Sequence, residues 1–224
     1  MEHDFTSGSV WKKLLLFAVP IFGANLLQAL YGTVDLFVVG LFADASAVSA
    51  VSTGSMMMQT ITGIITGLTM GCTVLLGQNI GKKDEAAAER TVGSALWLFV
   101  TVGILLAVIV AVLAVGIASV INAPAEAFSQ TTDYIRICGI GIICIVMFNA
   151  IGRMFRGLGD ARTPLALMGV VCVVNIAADF ALVGALKMGV AGAALATVAV
   201  QGILSTFLVR IPVSYAMSKV SGVT

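Results

Sequence analysis

The sequence predicts an all-α polytopic membrane protein with six transmembrane helices, and three observations carry that expectation. Hydrophobic residues make up 59% of the 224 and charged residues only 10%, where a soluble domain has about a quarter charged. The charges are also clustered, so stretches 14–34, 45–81, 91–125 and 188–209 contain none. A helix needs about 20 apolar residues to cross a hydrocarbon core about 30 Å thick, and each of these tracts is long enough. The third observation is the distribution of Lys and Arg, described below.

Six spans follow in order. The first covers 14–42 and carries Pro20. The second, 46–80, is longer than a bilayer requires, so it tilts or protrudes. The third covers 92–121, the fourth 132–155, the fifth 164–186 and the sixth 190–211. The connectors hold the charge. Residues 82–90 include Lys82, Lys83, Asp84, Glu85, Glu89 and Arg90, and 122–131 reads as a short loop around Pro124 and Glu126. Residues 156–164 (RGLGDARTP) form a polar turn whose closing Pro164 suits a first helical turn.

Orientation follows from the cationic residues. With the N-terminus inside, Lys12, Lys13, Lys82, Lys83, Arg90, Arg153, Arg156, Arg162, Arg210 and Lys219 fall on the cytoplasmic side, leaving Arg136 and Lys187 opposite. Both termini are therefore expected in the cytoplasm, and the protein in the cell membrane among lipids. Net charge is +1, which suggests no nucleic-acid partner. Cys72, Cys138, Cys144 and Cys172 lie in apolar runs without metal-ligand spacing and read as packing residues. His3 reads as a solvated residue of a polar tail. No nucleophile–base pair, metal pattern or phosphate loop is visible, so an enzyme is not expected.

Chemistry is expected where charge enters the apolar runs. Asp35 and Asp179 lie inside spans one and five, where a carboxylate costs roughly 2.5–3.5 kcal/mol on insertion scales. Both fall late in spans that run the same way, so they reach similar depth. Asn175 precedes Asp179 by one helical turn and shares its face. Thr197, in span six, approaches the same level. Asp35, Asn175, Asp179 and Thr197 thus form a candidate polar cluster. Burial disfavours the charged carboxylate, so the cluster can exchange a proton; ionised, its oxygens suit Na⁺. The structural alternative is that Asp179 bonds a neighbouring helix and Asp35 snorkels. Pro20 removes a backbone donor and can bend span one. Gly63, Gly67 and Gly71 suit close helix packing. Met56, Met57 and Met58 read as lipid or helix contacts, with an adaptable ligand wall as the alternative. Gln28, Tyr31, Gln59 and Gln78 are polar residues within spans, none specific.

The chain resembles the multidrug and toxic compound extrusion (MATE) transporters, in particular the N-terminal lobe of the prokaryotic DinF-like type. The resemblance rests on Pro20 with 34–40 (VDLFVVG), on 78–81 (QNIG), on 156–164, on Asn175 through Asp179, and on 189–197 (GVAGAALAT). It implies a secondary antiporter that exports cationic or amphipathic compounds in exchange for H⁺ or Na⁺, with two six-helix lobes around a central cavity and no other cofactor. By position it assigns coupling of the cation to Asp35, Asn175, Asp179 and Thr197, and a change of bend to Pro20. Family members have about twice this length. Residues 1–205 then read as the N-terminal lobe, and 206–224 as a short segment resembling part of the second lobe, as an internal deletion or truncated product would give. A second lobe or a homodimer is the implied partner. Two alternatives stand beside transport: a non-transporting fragment or assembly partner, and a lipid-linked flippase of the wider superfamily. Flippases of this kind usually carry cationic residues in the cavity, and no span here is expected to hold a buried basic cluster.

Overall fold

The computed structural model describes residues 10–210, and among these all regular structure is helical. Seven α-helices follow in order: α1 (Val10–Phe42), α2 (Ala45–Gly81), α3 (Glu85–Val120), α4 (Phe128–Ile140), α5 (Ile142–Gly157), α6 (Arg162–Asp179) and α7 (Gly189–Arg210). Five helices are long and apolar enough to cross a membrane, and the bent pair Ala125–Ile140 and Ile142–Gly157, counted as one broken span, makes six. His3 and most of segment 206–224 lie outside the described residues.

Local chemistry explains the helix ends. Lys83 takes a left-handed φ of 57°, and the next residue, Asp84, accepts the Ala87 N–H at 2.9 Å as the N-cap of α3. The stretch 85–90, expected as connector, is therefore the opening of α3. Asn122 takes a φ of 52° after α3, and the expected loop 122–131 is partly helical, with a 3₁₀ turn at Ala125–Ala127 leading into α4.

The RGLGDARTP turn also resolves into parts. Gly159 supplies a φ of 78°. The Asp160 carboxylate accepts the backbone N–H groups of Arg162 and Thr163, both at 3.0 Å, and the Thr163 hydroxyl at 2.6 Å. Asp160 thus caps α6, which buries Pro164 in its first turn.

Two spans depart from the expected single α-helix. The fourth breaks at Gly141 with a bend of 58°, because Val198 of α7 occupies the space where a Cβ at residue 141 would stand. The fifth ends its α-helical part at Asp179 and continues as a π-helical turn, Phe180–Ala185, in which the Leu186 N–H reaches back to the Ala181 carbonyl at 2.9 Å. Gly192 of α7 lets its backbone approach that turn, since a Cβ there would lie 3.1 Å from the Leu182 carbonyl carbon. α1 remains one helix through Pro20.

The main core fills the space between α2, α3, α4, α5 and α7, with Phe99, Ile65, Leu76, Ile135 and Ile142 fully enclosed. A smaller cluster of Met168, Val171 and Val200 joins α6 to α7. α1 lies mainly against α6 and α2. Cys138 and Cys172 are buried. Met57 and Met58 pack into the core, whereas Met56 faces outward. The glycine stripe on α2 does not pack as expected: apart from the helix's own adjacent backbone, no atom of the described residues lies within 4 Å of a Cβ built at Gly63, Gly67 or Gly71. These glycines share an exposed face with Gln59 and Gln78, because the core-facing side of α2 is taken by Ala50, Met58, Ile61, Ile65 and Leu76.

Candidate functional site

The four residues named from the sequence come together where α1, α6 and α7 meet. Asp35 is 4% exposed, Asn175 1%, Asp179 0% and Thr197 9%. Helical spacing sets up the site from two sides. On α1, Tyr31 and Asp35 are one turn apart; on α6, Asn175 and Asp179 are one turn apart. Asn175 Nδ2 donates to Asp179 Oδ2 at 2.7 Å. The Tyr31 hydroxyl donates to Thr197 Oγ1 at 2.8 Å and stands 3.5 Å from Asn175 Oδ1. One chain of polar contacts thus joins α1, α7 and α6.

The carboxyl groups of Asp35 and Asp179 adjoin, each within the other's hydrogen-bonding reach. Oδ1 of each is buried without a hydrogen-bond partner. Two carboxylates in contact in an apolar medium repel, and a single cation between them, a proton or a metal ion, removes the repulsion. The described residues hold no cluster of three His, Cys, Asp or Glu suited to a metal ion. Any Na⁺ here would draw on the two carboxylates with amide and hydroxyl oxygens. Further along α1 and past the end of α6, Phe42 and Phe180 meet edge to face with ring centroids 5.8 Å apart, and Val38, Val39 and Val183 are enclosed.

Tyr31 stood among the nonspecific polar residues of the sequence reading, yet it is the direct link between α1 and α7. Its signal is the i, i+4 spacing to Asp35, which repeats that of Asn175 and Asp179. Tyr31→Phe removes the hydroxyl and leaves Thr197 without this donor. The expected cost is about 1 kcal/mol, read as a lowered thermal midpoint of the detergent-solubilised protein with unchanged helical circular dichroism. Gln201 and Ser205 were missed altogether. They follow Thr197 at successive turns of α7 and are 9% and 7% exposed, so the buried face of α7 is polar over three turns.

No buried basic cluster was expected within a span, and α5 carries two half-buried arginines near its end. Arg153 lies within α5, inside the expected fourth span, half-buried with Arg156. Its Nη2 donates to Thr66 Oγ1 of α2 at 2.7 Å. The helix continues to Gly157, one turn beyond Arg153. Gln28, Gln59 and Gln78 are exposed, with Gln28 at the rim of a cleft between α1, α5, α6 and α7.

A family model described as MatE matches residues 20–181. The probable multidrug resistance protein YoeA of Bacillus subtilis is 31% identical over 205 residues, which cover 90% of this chain and 44% of that protein. The probable multidrug resistance protein YpnP of the same organism is 29% identical over 201 residues, covering 90% of this chain and 45% of its own. Among solved structures, the outward-facing conformation of a multidrug resistance MATE family transporter of the MOP superfamily superposes with a TM-score of 0.82 at 22% identity. It covers 93% of this chain and 50% of that one. The chain spans about half the length of the curated relatives it matches.

Proposed function

The chain belongs to the MATE family, and from that premise we propose that it forms the N-terminal lobe of a secondary multidrug efflux antiporter of the cell membrane, exporting cationic or amphipathic compounds in exchange for H⁺ or Na⁺. The observation that carries this reading is the adjoining pair Asp35 and Asp179, each with one buried, unpartnered oxygen. Such a pair is costly inside a membrane and fits a site that takes up and releases a cation during a cycle. Asn175 and Thr197, with Tyr31, hold the pair in register between three helices, so loading the pair changes how α1 sits on α6 and α7. Pro20, which leaves a gap in the backbone ladder of α1, gives that helix a place to bend.

The outer face of α2, with Gln59, Gly63, Gly67, Gly71 and Gln78 exposed, suits a water-lined cavity or a second lobe better than lipid. A second lobe, or a second copy of this chain, is the partner this reading requires. The positive-inside pattern supports a reading with both termini in the cytoplasm.

Expression in a drug-sensitive bacterium tests the reading. Cells making the protein should export ethidium faster than cells without it, and the gradient that drives export identifies the cation. An uncoupler that collapses the proton gradient abolishes H⁺-driven export, whereas Na⁺ removal abolishes Na⁺-driven export. Sodium coupling also predicts that saturating Na⁺ raises the unfolding free energy of the purified protein, by about 2.7 kcal/mol at a hundred times its dissociation constant, and that the gain vanishes when the pair is neutralised. Export insensitive to both gradients would sink the antiport reading.

A further inference from the structure

The cleft between α1, α5, α6 and α7 is partly open to solvent and is lined by Tyr31 but by neither Asp35 nor Asp179. Arg153 and Arg156 line its α5 wall. They are three residues apart on one helix face, where like charges repel. Neither guanidinium meets a carboxylate of the described residues: Arg153 donates to the Thr66 hydroxyl, and Arg156 Nε is buried without an acceptor. Asp160, the nearest acid in sequence, has both oxygens engaged in capping α6. Across the cleft, Gln201 is 9% exposed and its Oε1 is buried without a donor. The remaining wall is apolar at Phe148, Leu167, Met168 and Leu208, with Gln28, Tyr31 and Asn149 as its polar members.

A half-buried guanidinium with an idle donor is costly unless an acceptor reaches it. Arg pairs best with planar or tetrahedral oxyanions, often through two parallel hydrogen bonds. A cation would be repelled at this wall. The apolar side of the cleft calls for hydrocarbon, and the Gln201 oxygen calls for a hydroxyl or N–H donor. The inner end of α5 lies near the cytoplasmic interface by the distribution of cationic residues, which is the level of phospholipid headgroups. We propose that this cleft binds an amphiphile with a phosphate head, the phosphate on Arg153 and Arg156, a head-group hydroxyl on Gln201, and hydrocarbon against Phe148, Met168 and Leu208. The assignment is independent of the antiport reading, because it uses none of the residues assigned to cation coupling.

The test uses the purified chain in a neutral maltoside detergent with three probes: dioleoyl phosphatidylglycerol, dioleoylglycerol with the same tails and no phosphate, and inorganic phosphate. Native mass spectrometry reads bound probe and thermal unfolding reads stabilisation. Phosphatidylglycerol should stay bound and raise the thermal midpoint, with dioleoylglycerol and inorganic phosphate binding at least about tenfold more weakly. The double variant Arg153→Gln/Arg156→Gln should lose at least about tenfold in phosphatidylglycerol affinity. If that variant does not fold, Gln201→Glu places a competing carboxylate in the cleft and should weaken the same lipid. Inorganic phosphate binding as tightly as the lipid would overturn the amphiphile assignment. Equal binding of dioleoylglycerol, or phosphatidylglycerol affinity unchanged in the variants, would overturn the role of the arginines.

Discussion

If the chain exports as proposed, Asp179→Asn should leave it folded and reduce ethidium export to the level of cells that lack the protein, and Asp35→Asn should do the same. The reason lies in the geometry of the pair. An asparagine has the shape of a protonated aspartic acid, with an amide N–H₂ where the acid carries its proton. In Asp179→Asn the new carbonyl oxygen still accepts from Asn175 Nδ2, the bond that now measures 2.7 Å. The new N–H₂ faces the Asp35 carboxyl group, whose Oδ1 has no partner in the native chain. In Asp35→Asn the amide faces Asp179 in the same way. Each variant therefore holds the site in a singly protonated arrangement and removes the like-charge contact. Stability should be unchanged or raised by about 1 kcal/mol, since a repulsion is exchanged for a hydrogen bond. Export should vanish, because a group that cannot release its cation cannot complete a cycle. Thermal unfolding and ethidium efflux, measured on the same variants, separate the two effects. A variant that exports like the native protein would remove the pair from the coupling role. One that unfolds would favour the structural alternative, in which Asp179 only ties α6 to its neighbours.

The parts of the molecule legible in the sequence are those set by local rules. The six apolar runs could be read because a bilayer demands long uncharged helices. The cluster of Asp35, Asn175, Asp179 and Thr197 could be read because buried carboxylates are rare enough to stand out, and helical spacing placed Asn175 beside Asp179. What stayed hidden depends on contacts between distant segments. The break at Gly141 is set by Val198, 57 positions along the chain as numbered, and no local pattern announces it. The π-helical turn after Asp179 depends on the approach of Gly192 to Leu182. Arg153 looked like an inside anchor because charge counting registers sign and not direction. Only the packing of α5 on α2 turns its guanidinium toward Thr66. The stripe of Gly63, Gly67 and Gly71 misled for the converse reason: spacing marks a surface fit for close packing without saying which helix supplies the partner.

Gly141→Ala should be among the most destabilising single-methyl changes in the lobe. A Cβ at this position would overlap the Val198 side chain, and the Val198 Cβ itself would lie 2.9 Å away. Valine is short and β-branched, so it cannot swing aside as a flexible side chain does. Either α7 shifts from α5 or the bend at Gly141 opens, and both disturb the place where Thr197, the neighbour of Val198, receives the Tyr31 hydroxyl. Overpacking of this kind costs about 1–3 kcal/mol. Val198→Ala alone opens a small cavity and costs less; combined with Gly141→Ala it should recover most of the lost stability. The coupling energy between the two positions should reach about 0.5–3 kcal/mol, measured by unfolding of the four proteins in one detergent. Gly67→Ala is the control. Apart from the helix's own adjacent backbone, nothing lies within 4 Å of a Cβ there, so its helix propensity should make the lobe equally stable or more stable by up to about 1 kcal/mol. If Gly141→Ala proved as harmless as Gly67→Ala, the close seating of α7 against the broken span would be wrong, and with it the register that brings Thr197 to the carboxyl pair.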